Sequence, residues 1–147
     1  MKIYTIGFTK KTAREFFYLL RKNSINKILD VRLNNSSQLA GYSKGTDLEF
    51  FCELCGIRYQ HDLNLAPTKE ILDNYKSKTI NWTEYEMEFN KLLEKRQKAE
   101  EIDLTPGIVD GVCLLCSEDK AKNCHRRLIA EYIKNQYPEK EIEIIHI

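Results

Sequence analysis

Apolar residues in this chain follow two rhythms: short runs rich in Ile, Val, Leu and Tyr, and longer stretches where they recur every third or fourth position. The short runs, at 2–7, 27–32, 57–61, 111–117 and 141–147, have the length and composition of strands. The longer rhythm predicts helices between them. Behind Thr12, the residues Ala13, Phe16, Phe17 and Leu20 stand at i, i+3, i+4 and i+7 and form one stripe. Thr12 and Glu15 predict a capping box, each side chain accepting a backbone N–H at the helix start. Thr46 with Glu49 repeats the pattern ahead of Leu48, Phe51, Cys52 and Cys55, as does Thr83 with Glu86 around Tyr85, Phe89 and Leu92. A last helix is predicted over 124–136, with Ile129, Tyr132 and Ile133 facing inward and Pro138 beyond its end.

Strands alternating with helices are the signature of βαβ units. The expected fold is α/β, a mainly parallel sheet of about five strands flanked by helices in a Rossmann-like three-layer arrangement. A chain of 147 residues suits a single domain over 1–147. Two stretches, 33–45 and 99–110, carry the Asn, Ser, Gly and Pro of irregular backbone.

Composition narrows the function classes. A 42% hydrophobic, 31% charged chain is ordinary for a folded domain, and a net charge of +1 gives no support to a general nucleic-acid or acidic-membrane binder. Residues 1–60 nonetheless hold ten Lys and Arg against five Asp and Glu, so the basic side is N-terminal. No apolar leader precedes the first strand, and no apolar run is long enough to span a bilayer. Five cysteines, an odd number without disulfide-framework spacing, point to a reducing cytoplasm.

Cys52-x2-Cys55 and Cys113-x2-Cys116 have the arithmetic of a four-thiolate zinc site. The predicted elements argue against it. Cys52 and Cys55 fall in a helix stripe, while Cys113 and Cys116, three apart on a strand, point to opposite faces. Cys52, Cys55 and Cys113 are therefore expected to be buried thiols, and no residue is assigned to a metal.

Cys116 instead closes the apolar run Val112–Cys116 where the strand meets the polar loop 117–123. In open parallel sheets, ligands gather outside the carboxyl ends of the strands. Cys124, after Asn123, falls at the first helical position, where free N–H groups and the helix dipole favour a thiolate. Arg126 and Arg127 oppose that dipole, a local conflict that an anion bound at the helix start would resolve. His125 can supply a proton or a hydrogen bond, and Glu118 stands in the same loop. Other strand ends add Gly7 and Thr9, Asp30 and Arg32 on one face, and His61.

With these residues the chain resembles the family called domain of unknown function 488. The resemblance runs through Thr5-Ile6-Gly7, Asp30-Val31-Arg32, Tyr42-Ser43-Lys44 and Tyr59-Gln60-His61. It continues through Leu114-Leu115-Cys116-Ser117-Glu118 to Cys124-His125-Arg126-Arg127, the most specific part. Leu65-Ala66-Pro67-Thr68 and Trp82-x2-Tyr85-Glu86 are similar to one branch. Commoner members carry His where this chain has Phe8, and Gly-Gly where it has Ala66-Pro67. The resemblance implies an α/β fold with a site at these motifs, Tyr42 and Lys44 included, but names no reaction and no cofactor. Rhodaneses and cysteine phosphatases are similar at fold level only, because their Cys-x5-Arg cradle would need arginine where this chain has Lys122.

The resulting expectation is an enzyme acting on a small anionic, phosphate- or nucleotide-like substrate. Cys116 or Cys124 would be the nucleophile, Glu118 or His125 would move the proton, and Arg126 with Arg32 would hold the anion. A non-catalytic module for a nucleotide or a nucleic-acid end, and a redox or metal device, are the alternatives.

Overall fold

The structure, a computed structural model, describes residues 1–36 and 41–147, so positions 37–40 of the irregular stretch 33–45 lie outside the described residues. Among the described residues, five strands are present: β1 (Lys2–Gly7), β2 (Lys27–Asp30), β3 (Arg58–His61), β4 (Val112–Cys116) and β5 (Glu143–His146). They form one sheet in the order β3-β2-β4-β1-β5, every neighbouring pair parallel. Among the same described residues, five α-helices accompany them: α1 (Ala13–Lys22), α2 (Gly45–Leu54), α3 (Lys69–Lys76), α4 (Trp82–Lys98) and α5 (His125–Gln136).

The central strand explains the layering. All five residues of β4 are buried, because helices cover both faces of a parallel sheet. Val112, Leu114 and Cys116 join Leu29 and Val31 beneath Tyr85 and Phe89 of α4 and Ile129 and Ile133 of α5. Cys113 and Leu115 join Ile6 and Ile28 beneath Phe16 and Leu20 of α1 and Leu48 and Cys52 of α2. Period-2 alternation thus divides β4 between two cores, giving the α/β three-layer arrangement.

Two of the three expected capping boxes are corrected. Thr12 and Glu15 do cap α1 reciprocally. Helix α2 begins earlier, at Gly45, with Lys44 as an N-cap that offers no side-chain bond. The Gly45 N–H already has a partner in the Asn35 carbonyl at 2.6 Å, and Thr46 lies inside the helix. Helix α4 is capped by Asn81 and Glu84 rather than Thr83 and Glu86. Asn81-x2-Glu84 is the same signal two residues upstream, and asparagine is the stronger N-cap. Helix α3 had no announcing pattern: it spans eight residues, and Ile71, Leu72 and Tyr75 are only half-buried.

The strand order creates a crevice. Adjacent strands β1 and β4 lead to α1 and α5, which pack on opposite faces, so the loops leaving their carboxyl ends diverge.

Candidate functional site

The β4–α5 loop is held at that crevice by backbone contacts. Gly7 is paired with Cys116, and a Cβ at Gly7 would lie 1.7 Å from the Glu118 carbonyl oxygen. The Thr9 N–H donates to the Ser117 carbonyl at 3.1 Å, and Lys11 pairs with Asp119 at 3.4 Å. Gly7 and Thr9 therefore position the loop and do not line the cavity beside it.

Arg126 has the same task. Its guanidinium donates to the Glu118 carbonyl at 2.5 Å, to the Asp119 carbonyl at 3.2 Å and to the Thr5 hydroxyl at 3.3 Å, and the side chain is buried. The expected conflict with the helix dipole is relieved by these acceptors, and Arg126 is not among the residues that line the cavity beside the loop. Arg127 is satisfied by Glu86 and Glu131.

Asp30 and Arg32 do share a face and form a buried ion pair at 2.7 Å. Asp30 also receives the Tyr59 hydroxyl, and Arg32 donates to the Ser43 carbonyl at 2.8 Å. Burial works against the Arg32 charge, but the hydrogen bond to Asp30, its negative charge and Tyr59 together outweigh burial and hold the Arg32 pKa above the usual value. Arg32 lines the cavity, and its Nη1 is buried without a hydrogen-bond partner among the described residues. His61 donates through Nε2 to the Arg32 carbonyl at 2.7 Å. The Tyr42 hydroxyl shares its proton between the Phe8 and Lys11 carbonyls, and Lys44 caps α2. Asp30, His61, Tyr42 and Lys44 are not among the cavity's lining residues.

The cavity measures about 410 Å³, within the range of small-molecule sites. Cys116, Glu118, Cys124 and His125 all line it. Cys116 ends β4, and Cys124 is the N-cap of α5, one position ahead of its expected place. The two sulfurs and a ring nitrogen of His125 lie within 4.8 Å of one another, all three residues being buried. A carbonyl can only accept, so His125 Nε2 donates to Val31 O at 2.7 Å, and Cys116 Sγ lies beside the ring, 3.7 Å from Nδ1 and 3.9 Å from Nε2. The hydrogen bond from Cys116 draws the Cys124 pKa well below the usual thiol value, helped by His125 and Arg126; the same bond, with burial, raises Cys116. The α5 N-terminus favours the same polarity.

Three aromatic residues line another part of the cavity, and of these Tyr75 lay outside the motifs that carry the resemblance. Tyr75 comes from α3, and Trp82 and Tyr85 come from α4; Trp82 and Tyr85 stack at 4.8 Å between ring centroids. The i, i+3 spacing of Trp82 and Tyr85 was the available signal. Lys76 lines the same cavity, and Trp82 and Asn123 continue into a shallower groove with Lys120, Lys122 and Arg127.

Cys113 faces the other core and Cys52 is buried in α2, as expected, but Cys55 is exposed. It sits at the C-cap of α2, where the stripe has rotated into solvent.

A family model described as Domain of unknown function DUF488 matches residues 12–133. The chain belongs to this family. The match covers the β4–α5 loop and the helices that wall the cavity, while β1 and β5 lie outside it. No curated protein and no solved structure matches the chain. Among the described residues, no helix is long and apolar enough to cross a membrane.

Proposed function

We propose that the chain is an enzyme acting on a small anionic, phosphate- or nucleotide-like substrate bound in this cavity, with Cys124 as the nucleophile. The observation that carries the reading is the convergence of Cys116, Cys124 and His125 at one end of an aromatic-walled cavity. Cys124 occupies a helix N-cap, the position that best stabilises a thiolate. Tyr75 and Trp82 suit a planar group, and Arg32 with Lys76 suits an anionic one. Arg126 has no part in this binding.

In the proposed reaction, Cys124 Sγ bonds to the electrophilic centre while the bond to the leaving group breaks. The leaving group departs with the electron pair and takes a proton from the Cys116–His125 side. Water or a second substrate then releases the enzyme-bound group, with Glu118 as the proton acceptor.

The test is turnover on a panel of aryl and nucleoside phosphates and esters, with binding followed by thermal shift. Cys124→Ser is expected to lose turnover and keep the ligand-dependent shift. Binding without turnover in the wild type would make the chain a binding module, and full turnover in Cys124→Ser would remove the nucleophile.

A further inference from the structure

The same three side chains carry a second property. We propose that Cys116, Cys124 and His125 bind a soft divalent cation of the zinc class, with the fourth coordination position open to the cavity, and that the bound ion silences the sulfur chemistry. Only the silencing rests on the function proposed above; the binding stands on geometry alone.

The distances suit a tetrahedral ion. With metal–sulfur and metal–nitrogen bonds of about 2.3 and 2.0–2.1 Å, a tetrahedral centre sets its sulfur and nitrogen ligands about 3.6 Å apart. Cys116 Sγ and His125 Nδ1 are 3.7 Å apart. All three ligand atoms lie within 4.8 Å of one another, and side-chain rotation that turns Nδ1 toward the sulfurs completes the set. The donors sit on rigid backbone: Cys116 at the end of a fully buried strand, Cys124 and His125 at the start of a twelve-residue helix.

The histidine already has the backbone anchor of a metal ligand. Its Nε2–H is anchored on the Val31 carbonyl, which leaves Nδ1 without a proton and 3.7 Å from Cys116 Sγ. A ligating histidine characteristically donates its other N–H to a carbonyl or carboxylate in this way. Phe89 stands edge-on to the ring at 5.6 Å and restricts its rotation. Two sulfurs and one imidazole select zinc, cobalt or cadmium over magnesium, calcium or manganese.

Three protein ligands leave a fourth position, the arrangement of an open rather than a structural site. Glu118 and Asn123 line the same cavity, which gives that position access to a ligand from outside. Coordination takes both sulfurs as thiolates and releases to solvent whatever thiol protons they hold. With its lone pair on the ion, the Cys124 sulfur is no longer a nucleophile. The two Cys-x2-Cys spacings in the sequence do not reveal this set, because it combines one cysteine of a pair with a distant Cys-His dipeptide.

The experiment adds cobalt(II) to the chelator-stripped full-length chain and records its absorption. One equivalent is expected to give the intense visible bands of a tetrahedral cobalt–thiolate centre, bleached by zinc. Cys116→Ser should lose them, while Cys52→Ser and Cys55→Ser should keep them. In the wild type, zinc should also protect Cys124, but not Cys55, from iodoacetamide, a readout that needs no variant to fold. Absence of the bands, bands unchanged in a folded Cys116→Ser, or alkylation of Cys124 indifferent to zinc would overturn the site. Since the metal's own spectrum is read, this failure leaves the nucleophile to the Cys124→Ser turnover test. Turnover surviving in Cys124→Ser would remove the nucleophile while the cobalt spectrum stands.

Discussion

Gly7 and Glu118 touch through backbone alone: a methyl group at position 7 would stand 1.7 Å from the Glu118 carbonyl oxygen and 3.1 Å from Arg126 Nη1. The end of β1 can approach the site loop this closely only without a side chain. Gly7→Ala is expected to push the loop off the sheet end and cost about 3 kcal/mol, the upper part of the range for overpacking. Urea denaturation measures the loss, and an unchanged midpoint would contradict the close approach.

Arg126 is the buried cation that closes the same loop onto β1. Arg126→Met should cost about 2–4 kcal/mol, because it leaves acceptors without a charged donor. Arg126→Lys should restore only part of this, since an ammonium lacks the fork that reaches three acceptors. Chemical denaturation of both variants is the check, and full restoration by lysine would contradict the fork geometry.

Asp30 neutralises Arg32 in the interior. Asp30→Asn leaves a buried guanidinium unpaired and is expected to cost about 3–5 kcal/mol. Replacing both partners, with Asp30→Leu and Arg32→Met, should cost clearly less than Asp30→Leu alone, which a double-mutant comparison measures.

The cysteines outside the cavity should separate by accessibility. Cys55 is exposed, whereas burial pushes the Cys52 thiol up to about 12 and raises Cys113 further. Under native conditions at neutral pH, iodoacetamide should modify Cys55 and spare Cys52 and Cys113. Peptide mass spectrometry decides it; modification of Cys52 at the rate of Cys55 would contradict the packing of α2.

Burial also lifts the Tyr42 phenol, to about 12 from its ordinary value of 10.0. A pKa raised by folding means that the native state holds this proton more tightly than the unfolded chain. The contribution is complete below pH about 10 and is lost as pH rises through about 12. Stability measured across that window should fall less steeply in Tyr42→Phe than in the wild type.

Strand spacing, helix stripes and the Cys116 to Cys124-His125 loop were legible in the sequence because each rests on local periodicity or on a strand-to-helix junction. The all-apolar run Val112–Cys116 announced a strand covered on both faces, and β4 is the centre of the sheet. By itself the sequence therefore determined the α/β class and the address of the cysteines. What each charged group does there depended on contacts distant in sequence. Arg126 looked like a ligand clamp until carbonyls from the preceding loop and a hydroxyl from β1 were seen to satisfy it. The aromatic wall required α3 and α4 to fold back over the end of β4, bringing Tyr75 and Trp82 into the cavity that Cys116 lines. Periodicity states which face of an element is buried, but only the packing of α3, α4 and α5 on the sheet determines which side chains meet in the space between them.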